Sequence, residues 1–177
     1  MSCLLNSLDP DLTIEDRFAA TQVTAAGVVA ARTHPGYGAA VGDETLPRTT
    51  VYRHKVRYFE ADQQGVVFNM WYLGYFDEAM TLFLEEGGLD YPKMLDAGFD
   101  VQLVHTEIDW KSSLRWTDTA EIEVRLAESG RTSFSIQFDV KAAGTVVAAG
   151  RTVYVVVATD GSGKQPLPEL LRSAIGA

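Results

Sequence analysis

Hydrophobic and polar positions alternate from Thr50 to Phe59, with Tyr52, Val56 and Tyr58 on one side and Arg53, Lys55 and Arg57 on the other. A two-residue period in β-branched and aromatic residues predicts a strand with one charged face. Glu60-Ala-Asp-Gln-Gln-Gly65 breaks the alternation, and Tyr72, Tyr75, Phe76, Ala79, Met80 and Phe83 then recur at three- and four-residue steps. That spacing gathers them on one face of a long helix. Gly87-Gly88 closes it, because glycine readily takes the left-handed conformation of a helix C-terminus. A short helix is predicted from Pro92 to Ala97, stopped by Gly98. Four strand-like runs follow: Val101 to Lys111, Thr119 to Ala127, Thr132 to Lys141 and Thr145 to Ala158, separated by breaks that include Ser129-Gly130 and Ala143-Gly144. The last run is apolar on both faces in its second half, as expected of a central or doubly covered strand. Pro166 to Ile175 reads as a terminal helix.

The order strand, long helix, four strands is an α+β layout in which an antiparallel sheet of about five strands covers or wraps one helix. Composition changes near residue 48. Residues 1–48 are rich in Ala, Thr, Gly and Asp and hold no sustained period, so they read as an N-terminal extension and linker, with one short helix possible at 11–20. Residues 49–177 form the predicted functional domain. Long apolar strands at a sheet edge invite pairing with a second copy, which predicts a homodimer or homotetramer.

Charge narrows the partners. Fifteen Lys and Arg against 24 Asp and Glu give a formal charge of −9, which argues against broad binding of nucleic acid or an anionic membrane. No run approaches the roughly 20 apolar residues of a membrane-spanning helix, and Met1 to Pro10 lacks the early basic residues of a secretory signal. Cys3 is the single cysteine, so no internal disulfide forms, and a cytoplasmic location is the expectation.

Several catalytic patterns are absent: there is no G-x-S-x-G elbow, no H-E-x-x-H pair and no G-x-G-x-x-G after a strand. His34, His54 and His105 have no metal-ligand spacing and read as surface or packing residues; no metal site is expected. Asp160-Gly-Ser-Gly-Lys164 reads as a turn. The informative stretch runs from Tyr58 to Ala79. An acid, Asp62, lies in a loop three residues before Gly65, ahead of an apolar helix. Unsatisfied amides at a helix start carry partial positive charge and can receive a carbonyl oxygen that becomes an oxyanion, and a nearby carboxylate can attack that carbonyl or take a proton from water. The same spacing also suits a plain helix cap at Asp62 with Gly65 serving the turn. Likewise, Trp71, Tyr72, Tyr75 and Phe76 suit either a pocket wall or a core.

Arg57-Tyr-Phe-Glu-Ala-Asp62-Gln-Gln-Gly65-Val-Val-Phe68, followed by Tyr72-Leu73, Phe76 and Glu78, resembles the hotdog-fold acyl-CoA thioesterases of the 4-hydroxybenzoyl-CoA thioesterase family, including its bacterial YbgC-like branch. The resemblance extends from Tyr52 to Val157. It implies a hotdog fold and hydrolysis of an acyl- or aryl-CoA to the free acid and CoA, without a cofactor. Asp62 then matches the catalytic carboxylate, as nucleophile or general base. Gly65 and Val66 match the turn that polarises the thioester carbonyl at the helix start. Asn69 stands where many YbgC-like members have histidine, Tyr72 matches a tyrosine near the acyl pocket, and Arg131, Thr132 and Ser133 match a strand start placed near CoA. A polyanionic CoA also requires basic residues to gather, with Lys111, Arg115, Arg131 and Arg151 as candidates. The alternatives are a non-catalytic acyl-CoA-binding hotdog module and, further off, a hotdog hydratase or dehydratase, for which the segment from Asp62 to Glu78 has no histidine.

Overall fold

The alternating runs form one antiparallel sheet of order β1-β3-β4-β5-β2, made of β1 (Thr49–Lys55), β2 (Phe99–Trp110), β3 (Thr119–Ser129), β4 (Ser133–Ala142) and β5 (Thr145–Ala158). The structure is a computed structural model that describes residues 48–177; the short helix expected at 11–20 and His34 lie outside the described residues. Three helices accompany the sheet among these residues: α1 (Trp71–Glu86), α2 (Tyr91–Asp96) and α3 (Glu169–Ile175).

The helical period of α1 supplies its packing. Tyr72, Tyr75, Phe76, Ala79, Met80, Phe83 and Leu84 are buried, and the inward positions Ile122, Val124, Ile136, Phe138 and Ala148 of the sheet are fully buried. The Phe76 ring stacks on Phe138 with centroids 4.3 Å apart. Gly150, opposite Phe138 in the β4–β5 register, makes room for that ring, since a Cβ there would lie 2.5 Å from Phe76. The other face of the sheet is polar, with cross-strand pairs Arg53–Glu121, Lys141–Glu123, Arg125–Asp139 and Arg151–Glu128. The Ala143-Gly144 break is a two-residue hairpin turn in which both residues have positive φ, +47° and +77°.

The two largest departures from the expected boundaries flank Asp62. The first strand stops at Lys55 instead of reaching Phe59: the Val56 amide still bonds in register to the Asp118 carbonyl at 2.9 Å, but Tyr58–Glu60 then winds into a single 3-10 turn. The long helix does not follow Gly65 directly. Residues 61–67 instead fold as a small hairpin, with Ala61 bridged to Val67 and the Val67 amide bonded to the Leu114 carbonyl at 2.8 Å, so α1 starts only at Trp71. At the other end of the domain, Arg48 donates to the carbonyls of Phe83 at 2.7 Å and Ala174 at 2.5 Å and lies 4.0 Å over the Phe83 ring, tying the start of β1 to the ends of α1 and α3.

Candidate active site

Asp62 opens the tight turn of the hairpin. Its amide donates to the Val66 carbonyl at 2.9 Å, its carbonyl accepts the Gly65 amide at 2.9 Å, and Gly65 supplies the positive φ of +72° that the turn requires. The carboxylate accepts the Gln64 amide through Oδ1 at 2.8 Å, which fixes the side chain against its own backbone. Oδ2 has no protein partner among the described residues and is free to meet a ligand. The side chain is half-buried and borders an open cleft of about 730 Å³ walled by Tyr58, Phe59, Trp116 and Arg115. Tyr58 and Trp116 meet edge to face at 5.5 Å. Next to Trp116, Thr117 holds a φ of +77°, an uncommon strain for a β-branched residue and one that favours a functional site.

Of the two turn residues expected to offer an amide to a carbonyl, Gly65 and Val66, only Val66 keeps its amide unpaired. The Gly65 amide is consumed by the Asp62 carbonyl, and the Gly65-Val66 turn is not the start of α1. The Val66 amide has no partner among the described residues, and neither do the amides of Asn69 and Met70, which precede the first helical residue. No side chain caps α1. Asn69 and Val66 border a second cleft of about 370 Å³ together with Tyr72, Trp110 and Lys111. Tyr72 itself is 2% exposed, its ring set against Tyr75 and Trp110, so it is chiefly a core residue that reaches the cleft wall. The late helix start was legible in the period, which begins at Tyr72; the hairpin before it was not.

Arg131, Thr132 and Ser133 do not join Asp62 within one chain. They lead into β4 beside the ends of β3 and β5, while the Asp62 hairpin bridges to Arg115 beside the opposite ends of β2 and β3. The ten residues of β4 separate the two ends by about 30 Å at the usual rise per residue. Of the basic residues, Lys111 and Arg115 stand at the Asp62 end, whereas Arg151 is paired with Glu128 and Ser135.

Sequence reading missed a buried cluster directly behind the hairpin. Glu60 is 3% exposed, and its carboxylate receives His54 Nε2 at 2.9 Å, the Tyr75 hydroxyl at 2.9 Å and the Arg57 amide at 2.7 Å. Burial pushes the Glu60 carboxyl up, but these three donors together outweigh it and hold the group below the ordinary carboxylate range. The carboxylate has no proton to give, so His54 Nε2 is the donor in that pair. Burial and the adjacent carboxylate push the Tyr75 phenol far up, which keeps its proton in place. One signal was available: His54 alternates with Tyr52 and Val56 on the apolar side of β1, a position where a polar ring needs a partner. Among the described residues, no group of three or more His, Cys, Asp or Glu side chains is arranged to hold a metal ion, and no helix is long and apolar enough to cross a membrane.

The profile of the thioesterase-like superfamily matches residues 56–175, which take in the hairpin, α1 and the sheet from β2 to β5. A protein of Aquifex aeolicus (strain VF5) that carries an esterase name is 34% identical over 107 residues, covering 60% of this chain and 84% of that protein. A 1,4-dihydroxy-2-naphthoyl-CoA hydrolase of Synechococcus elongatus is 25% identical over 123 residues, covering 68% of this chain and 90% of the other. The solved structure of a gentisyl-coenzyme A thioesterase superposes with a TM-score of 0.66 at 26% identity, covering 71% of this chain and 99% of that one. With its five-stranded antiparallel sheet laid against one long helix and a family profile spanning most of its length, this chain belongs to the thioesterase-like superfamily of hotdog proteins.

Proposed function

We propose that the protein hydrolyses an acyl- or aryl-CoA thioester to the free acid and CoA, with Asp62 as the reacting carboxylate. The observation that carries this reading is the geometry of Asp62: one oxygen is pinned to the Gln64 amide and the other is free at the mouth of an aromatic-walled cleft. The relatives that act on 1,4-dihydroxy-2-naphthoyl-CoA and gentisyl-coenzyme A support a CoA thioester as the substrate class. The free carboxylate oxygen either attacks the thioester carbonyl carbon or takes a proton from a water that does so. The carbonyl oxygen gains negative charge, and the unpaired amides of Val66, Asn69 and Met70 are its candidate donors, since the Gly65 amide is taken by the Asp62 carbonyl. The C–S bond then breaks and CoA leaves as the thiolate: if Asp62 attacked, the acyl–Asp62 anhydride left behind is cleaved by one water and the thiolate takes up a proton from it; if water attacked, that water already supplies the acid's hydroxyl and the proton held by Asp62 passes to the thiolate. No step calls on a metal or redox cofactor.

The working unit proposed is a homo-oligomer. β2 is the sheet's outer strand on one side, 12 residues long, with Leu103, Val104 and Trp110 each more than half exposed. Antiparallel pairing of that edge with a second copy aligns the Asp62 end of one sheet with the opposite end of the other, which is where Arg131, Thr132 and Ser133 of the partner subunit lie. Such an arrangement lets them serve CoA binding together with Lys111 and Arg115, and it answers the overall negative charge with a local basic cluster.

The test is thiol release from acetyl-, hexanoyl-, palmitoyl- and benzoyl-CoA by wild type and Asp62→Asn. Removing the reacting group is expected to lower kcat by about 10²-fold or more on every substrate the wild type turns over, with little change in KM. Equal turnover by the variant removes Asp62 from the reaction. Saturable CoA-ester binding with no turnover by wild type would instead establish a binding module.

A further inference from the structure

We propose that Glu60 is the positioning residue of this site: its carboxylate, held by His54, Tyr75 and the Arg57 amide, fixes the hairpin that presents Asp62 to the substrate. The inference rests on the role given to Asp62 above, and deepens it. Glu60 connects three elements at one point, since His54 belongs to β1, Tyr75 to α1, and Glu60 itself ends the 3-10 turn. Its backbone closes the base of the hairpin as well, because its carbonyl accepts the Phe68 amide at 2.9 Å and its amide donates to the Arg57 carbonyl at 3.1 Å. Asp62 is two residues beyond this anchor, on the strand of the hairpin that Glu60 begins.

A purely structural account leaves the chemistry of the cluster without a reason. Three apolar side chains in the same space would fill it without the cost of burying a carboxylate, and a buried ionic network is weak evidence for stability in its own right. What such a network adds is direction, because each hydrogen bond restricts both distance and angle. Here every restriction converges on the residue from which the Asp62 turn departs. The His54 ring also packs against the rings of Tyr52, at 6.2 Å, and Tyr75, at 4.6 Å between centroids, which restricts its freedom to release the carboxylate. His54, Glu60 and Tyr75 themselves line a small cleft of about 230 Å³, so Glu60 has room to leave its place, and the start of the hairpin with it, once the grip is lost. Displacement of a reacting group by about 1 Å is enough to cost on the order of 10²-fold in rate.

The experiment compares wild type, Tyr75→Phe, His54→Leu and His54→Gln by steady-state kinetics on the fastest thioester of the panel and by amide hydrogen exchange read by mass spectrometry. Tyr75→Phe keeps the ring and its packing and removes one hydrogen bond, so the comparison remains decisive even where His54→Leu fails to fold. The expected result is faster exchange over residues 61–66 with the sheet unchanged, and a fall in kcat of about 10- to 100-fold with KM within about threefold. His54→Gln, which restores a donor toward Glu60, recovers most of the loss. Wild-type exchange over 61–66 together with wild-type kcat in the folded variants overturns the inference, as does His54→Gln performing no better than His54→Leu. Loss of turnover in Asp62→Asn alongside unaffected Tyr75→Phe and His54→Leu rejects only the role of Glu60. Undiminished turnover in Asp62→Asn rejects the reading of Asp62 itself.

Discussion

Glu60 and Asp62 carry the same functional group two residues apart in opposite surroundings, one buried and one at a cleft. Every side-chain oxygen of Glu60 is engaged by a donor, while Asp62 keeps Oδ2 free. The engaged carboxyl is the one with a consequence for stability. Its pKa in the folded protein lies below the ordinary 4.5, so an unfolded chain takes up the proton first as pH falls. The contribution of Glu60 is therefore fully present above about pH 4.5 and drains away as pH drops through the folded value. Urea midpoints measured from pH 7 down to pH 3 are expected to decline along that limb in wild type, and the decline should be shallower in Glu60→Gln, which has no carboxyl to titrate. An equal slope in the two proteins would place the acid sensitivity elsewhere. Asp62 was legible in sequence because its neighbours form a local pattern, an acid three residues before a glycine and ahead of a helix. Glu60 was not, because its side-chain partners, His54 and Tyr75, lie six residues before it and fifteen after it, and no local spacing relates them.

At the scale of elements, the helix stripe and the strand alternation were legible because burial of one face imposes a period on the chain. Both predicted faces are realised: Tyr72, Tyr75, Phe76, Ala79, Met80 and Phe83 are buried on α1, and Ala120, Ile122 and Val124 on β3. The close approach of the helix to β5 was not legible, since it depends on Gly150 lying under Phe76. A methyl group there meets the ring and the Glu107 carbonyl, at 2.5 Å and 2.9 Å, so helix and strand must part. Gly150→Ala is expected to lower unfolding free energy by about 1–3 kcal/mol in urea titration, the usual cost of overfilling a packed core. A neutral or stabilising effect would show that the helix is free to shift at no cost. The start of α1 followed the same division. The three- and four-residue period begins at Tyr72, but the hairpin at 61–67 is held by bonds to Leu114 and a bridge to Arg115, far along the chain, and these leave the amides of Val66, Asn69 and Met70 open where Gly65 was expected to serve.

For the whole molecule, the decisive feature is an edge. β2 presents an unpaired row of backbone groups along with Leu103 and Val104, which are 55% and 56% exposed, and a long apolar edge of that kind is a template for a second copy. Sedimentation of the wild type is expected to give a dimer or tetramer, and Leu103→Lys combined with Val104→Lys is expected to move it toward the monomer and to raise KM for CoA esters, because three of the five proposed CoA contacts come from the partner. A wild-type monomer with full activity would refute that arrangement. By itself the sequence determined the order and type of the elements, the inward faces and the candidate acid, since each depends on residues near one another in the chain and on the periods that burial imposes. Tertiary structure alone decided which amides stay unpaired, that Arg131, Thr132 and Ser133 lie at the far end of the sheet from Asp62, and that a buried His54–Glu60–Tyr75 cluster stands behind the Asp62 hairpin. These depend on contacts between residues distant in sequence, where the partner of a polar group is set by how strands and helix pack and not by the spacing of the residues along the chain.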